Sequence, residues 1–130
     1  MTELRVGVIG AGVMGSGIAQ TLAVAGYETV CCDSAPAALE RAKIGVVSGR
    51  FGMESAVARG KLSREAMDAA LSRLTWSDSL AMAAVADLII ECVPERLELK
   101  IRIFRELDRL AKPTAILAPF TTRLGFRLIF

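Results

Sequence analysis

Three glycines at fixed spacing carry the first chemical signal in this chain. Gly10-Ala11-Gly12-Val13-Met14-Gly15 follows the apolar run 4–9 (LRVGVI) and opens a segment where Met14, Ile18, Leu22 and Ala25 recur at helical spacing. A GxGxxG turn between a strand and a helix is the arrangement that receives a dinucleotide. Gly10 permits the tight turn, Gly12 lets backbone approach a pyrophosphate, and Gly15 lets the helix pack against the strand. The amide N–H groups at the helix start and the helix dipole then attract the diphosphate. The competing reading is a glycine-rich packing turn with no ligand. The flanking strand and helix, and an acid downstream, argue against it.

That acid is Asp33. It closes the run 28–32 (ETVCC), 18 residues after Gly15. A carboxylate there can accept both hydroxyls of an adenine ribose and repels a 2′-phosphate. No Arg or Lys follows until Arg41, so NAD is expected over NADP. The plainer role for Asp33 is a turn acid before a helix. FAD uses a similar turn, and the glycines alone do not distinguish it.

A second cluster is Glu91-Cys92-Val93-Pro94-Glu95, followed by Lys100. Pro94 and Glu95 are expected to open a helix running to residue 111. Glu95 on its first turn and Lys100 five residues on can face the nucleotide crevice. An acid at a helix N-terminus and a solvated lysine account for them equally well.

The elements that must position these residues alternate. Strands are expected at 4–9, 28–32, 74–76, 87–93 and 114–118, with helices between them. Gly26 ends the first helix. Ser34 is expected to cap a helix over 35–48 that contains Gly45, a weakening residue. The stretch 49–60 is irregular but helix-compatible, and Ser63 caps the next helix, with Ala66 where a capping box would carry Glu. A short helix is expected over 78–86. Such alternation implies an α/β doubly wound parallel sheet of the Rossmann type, with a helical insertion after the second strand.

Composition fits that fold. The 130 residues suffice for one domain, 53% are hydrophobic, and the net charge of +2 is scattered. No nucleic-acid footprint is present. Cys31, Cys32 and Cys92 form no disulfide or metal pattern, and read as buried thiols of a cytoplasmic protein. No metal site is expected. Histidine is absent, so the commonest neutral-pH base is missing and no catalytic residue is assigned. The uncharged stretch 6–27 could suggest a signal peptide or membrane anchor. Its six glycines and its non-basic leader oppose that, and no membrane partner is expected.

The stretches VIGAGVMGSGIAQTLAVAGYETVCCD and ADLIIECVPERLELK resemble the NAD domain of the L-3-hydroxyacyl-CoA dehydrogenases, the 3-hydroxybutyryl-CoA subgroup in particular, over about residues 5–118. The resemblance implies that the glycines and Asp33 hold the ADP half of NAD and that Glu95 and Lys100 match the family's NAD-contacting Glu and Lys. It implies that 35–74 is a helical arm that helps form the acyl-CoA site. It also implies that residues 1–118 are the NAD-binding domain and 119–130 an atypical tail. After the fifth strand the family carries a Ser-Asn-Thr-Ser-Ser type motif, then a catalytic His–Glu pair, an Asn and an all-helical dimerising domain. Here Pro119-Phe120-Thr121-Thr122-Arg123 follows instead, so the chain reads as truncated before that helical domain and inactive alone. Two alternatives are a 3-hydroxyisobutyrate or 6-phosphogluconate type dehydrogenase, and a non-catalytic NAD-binding module. The fifth strand is expected to leave an apolar edge through which the chain self-associates, unless the tail folds back over it.

Overall fold

In the computed structural model, which describes residues 4–120, five strands and six helices alternate. In chain order they are β1 (Arg5–Ile9), α1 (Val13–Val24), β2 (Glu28–Cys32), α2 (Pro36–Ser48), α3 (Met53–Ala58), α4 (Arg64–Arg73), β3 (Leu74–Ser77), α5 (Leu80–Ala84), β4 (Leu88–Glu91), α6 (Leu97–Leu110) and β5 (Ile116–Pro119). All strand pairs are parallel, in the order β3-β2-β1-β4-β5. This is the expected Rossmann-type sheet, and α2, α3 and α4 form the helical insertion.

Side chains alternate across β1, so both faces of the sheet must be covered. Val6 and Val8 join a core with Ala19, Ala23, Leu39, Val46 and Met67 from α1, α2 and α4. Ile9 faces the opposite layer, where α5 and α6 contribute Ala83, Ala84, Phe104 and Leu107. The same alternation puts position 7 on that second face, and it is a glycine where α5 passes near. A Cβ at Gly7 would sit 2.4 Å from the Ala83 carbonyl oxygen.

α1 shows how close packing selects its own stripe. The fully buried positions are Gly15, Ala19 and Ala23, one residue along from the expected Met14, Ile18, Leu22 series. Ile18 and Leu22 flank that line, and Met14 is exposed. The smallest side chains take the face nearest the sheet because only they allow the backbones to approach. Arg73 then donates to the Ala23 carbonyl at 2.8 Å, tying the end of α4 to the end of α1.

Several local expectations need correction. Ser34 does not cap α2. The N-cap is Ala35, with no side-chain bond, and Pro36 opens the helix. Asp33 serves that turn instead, its Oδ1 accepting the Ala35 N–H at 2.9 Å. Gly45 does not break α2. Its carbonyl is approached so closely by Gly49 and Gly52 that a Cβ on either would lie within 2.7 Å of it. Ser63 does cap α4, accepting the Ala66 N–H at 3.0 Å.

Pro94 and Glu95 do not open α6, which begins at Leu97. The Val93 N–H is drawn back to Glu91, and the Arg96 N–H bonds the Pro94 carbonyl at 2.7 Å. These bonds hold 92–96 as a loop. β5 runs past residue 118 to Pro119, and the Phe120 N–H donates to the Glu91 carbonyl at 2.8 Å. Residues 121–130, which include most of the expected tail, lie outside the described residues. Among the described residues, no helix is long and apolar enough to cross a membrane.

Candidate cofactor site

The carboxyl ends of β1, β2 and β4 open on a cleft of about 620 Å³. In an open parallel sheet the crevice lies where the chain switches direction across the sheet, here between β1 and β4. Gly10, Gly12, Val13, Met14, Gly15, Asp33 and Glu95 line it. Ala11 is buried beneath the turn and Lys100 is buried at the root of α6.

The three glycines differ in what constrains them. Gly10 has φ +107°, a left-handed conformation that disfavours a side chain, and a Cβ there would also strike the Cys92 carbonyl at 2.7 Å. A Cβ on Gly15 would lie 1.8 Å from the Gly10 carbonyl oxygen, so α1 could not sit against the turn. A Cβ on Gly12 would meet nothing within 4 Å. Gly10 and Gly15 are therefore fixed by the fold, whereas the space over Gly12 is left for something else.

What belongs there follows from the helix end beside it. Gly12 is the N-cap of α1 and gives no side-chain bond, and the first turn carries no acid. Its N–H groups and the positive end of its dipole are thus not matched by a side chain of their own turn. Val13, on that turn, is 95% exposed. An anion fits this end, and a diphosphate fits both the charge and the open volume over Gly12.

Asp33 stands at the end of β2 with its carboxylate fixed at both oxygens. Oδ2 accepts the Ala11 N–H and Oδ1 the Ala35 N–H, each at 2.9 Å. A carboxylate offers about four acceptor directions, so two remain for the hydroxyls of a ribose.

At the far wall, Lys100 is not a solvated lysine. It is fully buried, and its Nζ donates to both oxygens of Glu91 at 2.8 Å. Glu91 is buried as well, and its Oε2 also accepts the Val93 N–H at 2.7 Å. Glu95 Oε1 lies 3.6 Å from the same ammonium, with a third of its side chain exposed. Glu91 was part of the sequence cluster without a role. Its signal was an acid inside an apolar run, since a buried carboxylate must be paired.

Cys32 and Cys92 also line the cleft. Burial pushes both thiols up to about 11, and Cys31, deeper in the core, to about 12. All three remain protonated at neutral pH and are poor nucleophiles there.

The family model for the 3-hydroxyacyl-CoA dehydrogenase NAD binding domain matches residues 5–129. The chain belongs to that family, and NAD is the family domain's cofactor. A 3-hydroxybutyryl-CoA dehydrogenase of Bradyrhizobium diazoefficiens is 38% identical over 121 residues, covering 93% of this chain and 40% of that protein. A 3-hydroxyadipyl-CoA dehydrogenase of Escherichia coli is 36% identical over 124 residues, covering 95% of this chain and 26% of that one. The crystal structure of Mycobacterium tuberculosis FadB2 superposes with a TM-score of 0.91 at 38% identity, covering 97% of this chain and 44% of that chain. The chain thus spans less than half the length of these relatives. The match sets aside a 3-hydroxyisobutyrate or 6-phosphogluconate type domain, and it continues past residue 118, where the motif resemblance ended.

Proposed function

We propose that this chain holds NAD across the junction of β1 and β4, as the cofactor half of an enzyme that oxidises L-3-hydroxyacyl-CoA to 3-oxoacyl-CoA. The observation that carries the reading is the start of α1, free of any side-chain cap and opening on the unfilled space over Gly12. Gly10 to Gly15 receive the diphosphate, and Asp33 receives the adenine ribose. β2 and β4 flank β1 on opposite sides, so the nicotinamide half falls toward Val93, Glu95 and Phe120. Bound NAD supplies a hydride acceptor. The chain supplies binding and orientation, and it holds no histidine to take the hydroxyl proton.

The acyl-CoA substrate rests on the names of the relatives. We assign the NAD-binding role to residues 1–118 and a share of the acyl-CoA site to the arm over 35–74. A cytoplasmic location fits the reduced thiols. Isothermal titration of the 130-residue chain with NAD, ADP and NADP tests the reading. Binding of NAD and ADP with weaker NADP is expected, and absence of ADP binding overturns the diphosphate assignment.

A further inference from the structure

The cleft reading gives no task to Glu91, yet Glu91 makes several polar contacts behind the cleft's far wall. Its side chain takes Lys100 at both oxygens and the Val93 N–H at one, and its own carbonyl takes the Phe120 N–H at 2.8 Å. Lys100 belongs to α6, Val93 to the loop after β4, and Phe120 to the chain leaving β5. A single buried residue thereby ties together the three segments that wall the nicotinamide half of the cleft.

The loop over 92–96 needs such a tie. Its start is bonded to β1, where the Cys92 N–H meets the Ile9 carbonyl at 2.7 Å, and its end to α6, where the Lys100 N–H meets Arg96 at 3.0 Å. Between them lies Pro94, which has no N–H to offer. The Val93 amide is the point at which a side chain reaches in. Burying a lysine and a glutamate is costly, and an apolar pair of similar volume commonly serves stability as well or better. A pair kept at that depth directly behind the loop calls for a role beyond packing.

We infer that Glu91 is a positioning residue for the cofactor: with Lys100 it anchors the loop over 92–96 in the shape that receives the nicotinamide half, while the ADP half is held independently of it. This rests on the NAD reading above. Its geometry predicts a split, because Asp33 and the glycine turn stand on β2 and β1 and Glu91 stands on β4.

The test uses the 130-residue chain and two variants, Glu91→Gln and the double variant Glu91→Met with Lys100→Met. The double variant removes both charges together and leaves no buried ion unpaired. Folding is checked by circular dichroism, and ADP and NAD are each titrated calorimetrically. A ligand-free readout is hydrogen exchange at the amides of Val93, Glu95 and Arg96. The expected result is ADP affinity within about twofold of the parent, loss of at least tenfold in NAD affinity relative to ADP, and faster exchange confined to those amides. Equal weakening of ADP and NAD assigns the pair to general stability and overturns the inference, as does an unchanged ratio of NAD to ADP affinity. Failure of both variants to fold overturns it too, since the pair would then serve folding. If the parent chain binds no ADP, the cofactor reading itself fails. If it binds ADP but gains nothing from the nicotinamide half, only the positioning role fails.

Discussion

Gly12 and Gly15 are three residues apart in one motif, and the structure predicts opposite consequences for replacing each by alanine. At Gly12 the backbone is extended, with φ −72° and ψ −169°, which alanine adopts without strain. A Cβ there meets no atom within 4 Å. Losing Gly at an N-cap costs about 0.5–1 kcal/mol, and reduced freedom of the unfolded chain returns about 0.4–1 kcal/mol. The two nearly cancel, so Gly12→Ala should keep the thermal midpoint of the ligand-free chain within a few degrees. Its methyl group occupies the space assigned to the diphosphate. Loss of one charge-assisted hydrogen bond costs about 1.5–3 kcal/mol, or roughly a 10- to 150-fold fall in ADP and NAD affinity. At Gly15 the added Cβ would lie 1.8 Å from the Gly10 carbonyl oxygen, a backbone atom that cannot swing away. Gly15→Ala should therefore destabilise the ligand-free fold by at least the ~1–3 kcal/mol of an overpacked core. Thermal unfolding by circular dichroism and calorimetry with ADP read the two effects separately. Parental ADP affinity in Gly12→Ala would refute the diphosphate site. A loss of stability in Gly12→Ala equal to that in Gly15→Ala would refute the division of labour between the glycines.

Asp33→Ala should narrow the preference for NAD over NADP, losing about 1.5–3 kcal/mol of NAD affinity. Calorimetry in which the parent binds NADP as tightly as NAD would sink the ribose assignment. With no histidine, the 130-residue chain should form no NADH from 3-hydroxybutyryl-CoA, and protein-proportional NADH formation at 340 nm, with contaminants excluded, would contradict that. The thiols should resist alkylation near pH 8 and gain about tenfold in rate per pH unit toward pH 11. Because burial raises the folded-state values above the ordinary 9.0, their contribution to stability is present below pH 9 and is lost as pH rises toward 11–12. A melting temperature that stays flat from pH 8 to 11 would count against their burial. Ile116, on the outer strand β5, is 64% exposed, and we expect Ile116→Lys to lower self-association of the concentrated chain in light scattering. Identical scattering by the two proteins would remove that edge as the contact.

The order of elements was legible because apolar runs, glycine turns and helical spacing all point to one alternating pattern. What escaped was set by contacts between distant segments. The helix expected at Pro94 is delayed to Leu97 because Glu91 captures the Val93 amide, and only the fold brings Lys100 over that acid. The α1 stripe expected on Met14 shifts to Gly15, since close approach to the turn after β1 rewards the absence of a side chain more than hydrophobicity. Ser34 makes no cap, and its neighbour Asp33 closes the turn before α2 instead. Asp33 is already held by the Ala11 N–H, and its second oxygen accepts the Ala35 N–H.

The two hydrogen bonds of Asp33 make the turn-acid role and the proposed ribose-acceptor role compatible. Ala11 lies in the glycine turn and Ala35 at the entry to α2, so one carboxylate joins the turn after β1 to the helical insertion. Each amide takes one acceptor direction of one oxygen and leaves another unused by it, on a residue that lines the cleft. The amide bonds also polarise and orient the carboxylate before any ligand arrives, which lowers the entropy that a ribose would otherwise have to overcome. A residue that merely closed the turn would need one oxygen, and a residue that merely bound ribose would need no fixed amides. Holding the glycine turn and the entry to α2 in register with β2 is the arrangement that the proposed diphosphate and ribose sites require. Asp33→Asn separates the contributions. The amide keeps one oxygen for a backbone N–H but presents a donor where the second acceptor stood. It should therefore disturb Ala11 or Ala35 in amide exchange as well as weaken NAD. A variant that lost NAD affinity with unaltered exchange at both alanines would show that the two roles are separable after all.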